Sequence, residues 1–218
     1  MPEDAQDQAQ DQQDSGISRK SFIVAAGLGA LAVPAAVTAV NAATAEAGVK
    51  PQWLELTPKC TDGDSTATPP QTEGPYFSPG SPERSDISTG QAGTKLIVSG
   101  IVYNQACQPV AHALLDFWQA DNAGNYDNVG YTFRGHQYSD AQGRYSLTTI
   151  VPGLYPGRTR HIHVKVQAPN RPILTTQLYF PNEPRNNTDT IFDRRLLMTM
   201  GTGPNGVRTG TIDFVINA

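Results

Sequence analysis

Six short runs rich in β-branched and aromatic residues constrain this chain more than any other feature. They are KLIVSGIVY (Lys95–Tyr103), ALLDFW (Ala113–Trp118), RYSLTTI (Arg144–Ile150), RHIHVKVQA (Arg160–Ala168), ILTTQLYF (Ile173–Phe180) and TIDFVIN (Thr211–Asn217). Runs of this kind, bounded by turn residues, read as strands, and their spacing suits two packed sheets. The 20 Gly and 17 Pro of the 218 residues supply the punctuation between them. The predicted fold is all-β: an antiparallel β-sandwich core over residues 95–218, with long loops and one short helix. That helix is expected over NTDTIFDRRLLM (Asn187–Met198), capped by Asn187 or Thr188.

Upstream of the core the composition changes twice. Residues 48–94 form a loop-rich arm punctuated by Pro69-Pro70, Gly74-Pro75, Pro79-Gly80 and Ser81-Pro82. Residues 1–17 are rich in Asp and Gln and lack aromatics, so they are expected to be disordered. Residues 18–47 have the character of an export signal. Within them SRKSFIV resembles a twin-arginine signal with Lys20 in place of the second arginine. A general secretory signal and an uncleaved anchor are the competing readings. Pro34 and the many Ala and Gly residues weigh against an anchor, which needs about 20 apolar residues.

Export implies a periplasmic or extracellular protein, where the chain's two cysteines, Cys60 and Cys107, are expected to pair. Such a bridge contributes about 4 kcal/mol in the chain-entropy account. A net charge of −4 without a long basic run argues against nucleic acid, and against a membrane surface for the mature form, as partners.

In GRTRHIHVKV (Gly157–Val166) the alternation puts His161, His163, Lys165 and Gln167 on one strand face and Ile162, Val164 and Val166 on the other. Two imidazoles on one face can share a metal ion, but the same alternation describes the solvated face of any half-buried strand. Taken alone, the pair leaves both readings open.

CQPVAHALLDFWQAD and YSDAQGRYSLTTIVPGLY have the layout of transthyretin-like and carboxypeptidase-regulatory-like sandwiches, many of which are not enzymes. A more specific resemblance lies in WQADNAGNY, TIVPGLYP, RTRHIH and TTQLYF, preceded by TEGPYF in the arm. Together these segments resemble the active-site signature of intradiol ring-cleavage dioxygenases, non-haem iron(III) enzymes that open catechol-type rings. The resemblance looks closer to the protocatechuate branch, since the extended helical N-terminal segment of the catechol branch is not expected here.

The resemblance implies that Tyr126, Tyr155, His161 and His163 hold one iron(III) per chain. Phenolate oxygen is a hard anionic donor suited to a ferric ion, whereas zinc or copper has no need of two tyrosines. The resemblance also puts Arg158 and Gln177 beside the metal, where the guanidinium would stabilise developing negative charge. Arg160 competes for that role but has the opposite strand parity. Tyr155 is the ligand expected to leave on substrate arrival and take a proton. Pro75 and Tyr76 are expected to line the substrate pocket.

The implied substrates are a small aromatic ortho-diol and O2, and the implied product is a cis,cis-muconate-type diacid. The resemblance also allows a homo-oligomer. An exported binding module without turnover, and a structural copper or zinc protein, are the alternatives. His112 and His136 are read as ordinary surface or loop residues, and Trp118 as core.

Overall fold

Lys95–Asn104 (β1) presents Leu96, Val98 and Val102 to the interior, and this long strand organises the first of two sheets. The computed structural model describes residues 66–218. The remaining strands are β2 (Leu114–Trp118), β3 (Arg134–Tyr138), β4 (Arg144–Ile150), β5 (His161–Gln167), β6 (Leu174–Tyr179), β7 (Thr199–Thr202), β8 (Arg208–Thr211) and β9 (Phe214–Ile216). The first sheet runs β4-β1-β8-β7, with β9 also paired to β1, and the second runs β3-β2-β5-β6. Their inner faces meet over Leu96, Val98, Leu147, Leu115, Phe117 and Val164, which are fully buried. This is the expected all-β sandwich.

The strand directions depart from a purely antiparallel arrangement. β1 pairs antiparallel with β4 but parallel with both β8 and β9. The expected strand Thr211–Asn217 is split at Ile212 and Asp213, where the Asp213 carboxylate accepts the Ile101 N–H at 2.7 Å. Gly100 is required at that break, since a Cβ there would collide with the Ile212 carbonyl. Strands β3, β7 and β8 carry no clear alternation in the sequence and are not among the six expected, β8 sharing only Thr211 with the last of those.

The expected helix over Asn187–Met198 does not form. Single 3-10 turns at Pro184–Asn187 and Arg194–Leu196 take its place. Tertiary bonds override the local preference: Asp189 accepts the N–H groups of Thr159 and Ile191, and Asp193 caps only the second turn. Met198 N–H then bonds to Tyr179 O at 2.9 Å, drawing the chain into an extended path beside β6.

Cys107 carries no disulfide among the described residues, and Cys60, its expected partner, lies outside them. The segments 1–17 and 18–47 also lie outside the described residues. Among the described residues no helix is long and apolar enough to cross a membrane.

Candidate metal centre

The second sheet hides its outer face at the end that carries the histidines, while Leu114, Asp116, Lys165 and Gln167 on that face stay half-buried. Ile162, Val164 and Val166 enter the sandwich, while His161 and His163 point away from it, yet are only 4% and 3% exposed. The wet-face reading of that strand therefore fails. Loops and the arm cover the outer face: a Cβ on Gly74, in the arm, would stand 3.7 Å from His163 Cε1. Trp118, expected as core, is buried at 1% exposure and lies on this face of the sheet. It is opposite His163 in the β2/β5 register, stacks on its ring at 4.7 Å between centroids, and contacts Phe77.

Three donor atoms converge there. Tyr126 Oη lies 3.1 Å from His161 Nε2 and 3.0 Å from His163 Nε2, and the two Nε2 atoms are 3.1 Å apart. Tyr126 reaches this point from a loop in which Asp121 accepts the Ala123 and Asn125 N–H groups. Tyr155, the fourth expected ligand, packs edge-on against Tyr126 at 5.8 Å, and its hydroxyl shares a 2.8 Å hydrogen bond with Tyr76. Tyr76 in turn stacks on Tyr126, with centroids 4.5 Å apart and planes 15° from parallel. Pro75 precedes it in the arm and is exposed.

Proton bookkeeping decides what these atoms can be. His161 Nδ1 lies 2.6 Å from Thr159 O, an acceptor only, so Nδ1 carries a proton and donates it. Burial brings the His161 pKa down to about 4, so the ring is neutral and Nε2 presents a lone pair. Burial, followed by the neighbouring His161, likewise holds His163 well below its ordinary value. His163 Nδ1 is buried without a hydrogen-bond partner. Without a metal, Tyr126 Oη can donate to His161 Nε2 and accept from a protonated His163 Nε2, which leaves only His163 Nδ1 of the cluster unpartnered.

The same three converging atoms also suit a cation. Three donors at right angles around one ion, with bonds of about 2.1 Å, stand about 3 Å apart, close to the separations found here. Thr159 supplies the backing hydrogen bond that fixes a metal-binding imidazole. Burial raises the Tyr126 phenol above its ordinary value, while the Arg158 and Arg134 charges pull it back towards phenolate. No cluster of three or more His, Cys, Asp or Glu side chains suited to a metal occurs among the described residues. The donor set is one of phenols and imidazoles, which suits a hard trivalent ion.

Arg158 and Gln177 come together at the edge of this cluster. Arg158 Nη2 donates to Gln177 Oε1 at 2.7 Å, and Gln177 Nε2 donates to Thr72 O at 2.7 Å. Arg158 Nε donates to Asp189 Oδ2 at 2.9 Å, an ion pair with a buried carboxylate. Arg160 points elsewhere, to Glu183 and to the Pro152 carbonyl. His136 sits half-buried on β3 with Nδ1 2.7 Å from Ser81 O, and His112 is exposed in the turn before β2.

Sequence reasoning missed Asp189, Thr159 and Arg134. Arg134 is buried and donates to the carbonyls of Asp127 and Tyr76. An Asp in a segment read as helix, a Thr between two arginines and an Arg before a glycine carry no signal of these roles. Their partners are backbone groups and side chains brought close only by the fold.

The family model described as "Dioxygenase" matches residues 72–202. Catechol 1,2-dioxygenase 2 of Acinetobacter lwoffii is 29% identical over 61% of this chain and 58% of its own length. The protocatechuate 3,4-dioxygenase beta chain of Burkholderia cepacia is 33% identical over 46% of this chain and 50% of its own length. The chain thus spans little more than half the length of these two curated relatives. A solved structure is similar as well: the dioxygenase domain of a dioxygenase carbohydrate-binding protein fusion from the cellulolytic bacterium Streptomyces sp. SirexAA-E. It is 57% identical, with a TM-score of 0.68, and the match covers 70% of this chain and 99% of that one.

Proposed function

The chain belongs to the intradiol ring-cleavage dioxygenase family, and from that membership we propose that it uses non-haem iron(III) and O2 to open a catechol-type ring. Cleavage falls between the two hydroxyl-bearing carbons. Both oxygen atoms of O2 enter the product, a cis,cis-muconate-type diacid, so no external reductant is consumed. The observation that carries this reading is the convergence of Tyr126, His161 and His163 within 3.1 Å, with Tyr155 beside them.

Iron(III) bound by those residues would supply the electron-withdrawing centre that holds both diol oxygens and makes the ring carbon reactive towards O2. The chain's own residues do the rest. His161 is kept in the ligand tautomer by the Thr159 carbonyl, and Tyr126 is fixed between two imidazoles and the Tyr76 ring. Tyr155 can accept a proton from the incoming diol at Oη. The Tyr76 hydroxyl, 2.8 Å away, then offers the neutral phenol a partner off the metal. Arg158 is oriented by Asp189 and Gln177, so its charge is fixed before substrate arrives and stabilises negative charge developing on the substrate.

Oxygen uptake by the iron-loaded protein tests this with catechol, protocatechuate and hydroxyquinol, each followed to its ultraviolet-absorbing diacid. Uptake with at least one diol is expected, and fully iron-loaded protein inert to all three would overturn the reading. We place the reaction outside the cytoplasm on the strength of SRKSFIV and the small residues around Ala43 to Ala47. Processing of the precursor at the membrane, followed by mass spectrometry of the exported chain, tests that placement.

A further inference from the structure

One buried guanidinium spans the two loops that carry Tyr126 and Tyr76. Arg134 opens β3 and is 2% exposed. Its Nε and Nη2 both donate to Asp127 O, at 3.1 and 2.6 Å, and its Nη1 donates to Tyr76 O at 2.5 Å. Asp127 directly follows Tyr126, so the fork holds the backbone beside one phenol at a fixed distance from the backbone of the other.

Each loop is stiffened on its own side of the fork. The Asp127 carboxylate accepts the N–H groups of Val129, Gly130 and Thr132, which folds residues 127–132 around a single side chain. Arg134 O accepts both Nε and Nη2 of Arg84, from further along the arm. Tyr131 ties the same loop to the arm further along, its hydroxyl donating to Pro79 O at 3.0 Å and its carbonyl accepting Arg84 Nη2, but among the described residues it is the Arg134 side chain that joins the carbonyls directly beside Tyr126 and at Tyr76. The two rings it relates are stacked, and their hydroxyls lead to different partners: Tyr126 to the histidines, Tyr76 to Tyr155.

The chemistry of the residue matters. Arginine's planar fork presents parallel donors to one acceptor and a divergent donor to another, a geometry that a lysine ammonium on a flexible stem does not reproduce. No carboxylate forms an ion pair with Arg134 among the described residues. A buried charge held mainly by carbonyls is costly, and a charge spent on stability alone is better replaced by an apolar side chain. We propose that Arg134 is the positioning residue of the site, setting the separation of the Tyr126 and Tyr76 loops. It thereby holds one phenol at the histidines and the other at Tyr155. The proposal rests on the reading of Tyr126, Tyr155, His161 and His163 as the metal-binding set.

Arg134→Lys and Arg134→Met test it against Arg84→Met, which loosens the arm and its tie to the Tyr131 carbonyl but leaves the bonds to the Tyr76 and Asp127 carbonyls in place. The first readout is hydrogen exchange of the metal-free proteins. Residues 72–80 and 121–133 should lose protection together in both Arg134 variants, with β5 unchanged, while Arg84→Met should leave residues 121–126 protected. The second is the visible absorption of the iron-loaded proteins, which should shift in both Arg134 variants. The third is kinetic: kcat should fall by about 100-fold, as for an ångström-scale misplacement, with KM changed by less than about 3-fold. Arg134→Lys should not rescue Arg134→Met. Unchanged loop protection and absorption in folded Arg134 variants would overturn the proposal, as would full rescue by lysine. Because the exchange measurement needs no iron, it separates this outcome from a wild-type protein that fails to bind metal or turn over.

Discussion

The β3-β2-β5-β6 sheet is buried on its inner face and, on its outer face, at the end that carries His161 and His163, by different means. The inner face is closed by another sheet and filled mainly by Leu115, Phe117, Ile162, Val164 and Leu178, with Thr176 and Gln137 as the polar side chains of the same parity. The outer face is closed by the arm and by the loops after β2, β4 and β6. It holds Trp118, His161, His163, Gln177 and Tyr179, with Trp118 Nε1 and His163 Nδ1 left unpartnered. A single strand, β5, serves both, one residue in and the next out. The inner face contributes stability, and the outer face holds donors in an arrangement that makes chemical sense around a cation.

The largest effect should come from breaking the outer face at a donor. His161→Ala is expected to lower iron content and kcat/KM by more than the roughly 10–100-fold that losing a hydrogen-bonded partner behind a ligand costs. Metal analysis and oxygen uptake measure this, and retained iron at full stoichiometry would remove His161 from the ligand set. One residue along, Ile162→Ala should do the opposite. It should cost about 2–5 kcal/mol of folding stability by denaturant melts and leave the visible spectrum of the folded iron-loaded protein unchanged.

A smaller effect sits between the two faces, at Asp189. Burial pushes its carboxyl up, but the Thr159 N–H and the Arg158 guanidinium outweigh burial and leave it below the ordinary carboxylate value. A depressed folded-state pKa means that Asp189 stabilises the fold above about pH 4, and that this contribution is lost as pH falls through the folded value. The wild-type advantage over Asp189→Asn in thermal melts should therefore shrink below about pH 4. At neutral pH the variant should lose activity by about 10-fold through a misaimed Arg158. A pH-independent stability gap would show that Asp189 acts only through packing.

The inner face was legible in the sequence because alternation reports burial against a second sheet: Ile162, Val164 and Val166 stand where the pattern put them. The cluster was legible in another way, through the order of the tyrosine and histidine motifs: Tyr126, His161 and His163 lie together, with Tyr155 packed against Tyr126. What stayed hidden depends on contacts distant in the chain. β3 (RGHQY) has too little alternation to read as a strand. Asp189 looked like part of a helix because its bonds to Thr159 and Arg158 are invisible locally. Arg134, before a glycine and far from any acidic run, gave no hint that it bridges two backbone carbonyls.

The most direct measurement of the central claim is an anaerobic titration of the metal-free protein with iron, oxidised to the ferric state and followed by visible absorption, for wild type and Tyr126→Phe. The four-donor site predicts saturation at one iron per chain, with a strong phenolate-to-iron charge-transfer band that shifts and weakens in the variant. Ferric protein that is colourless, or a band identical in wild type and Tyr126→Phe, would contradict it.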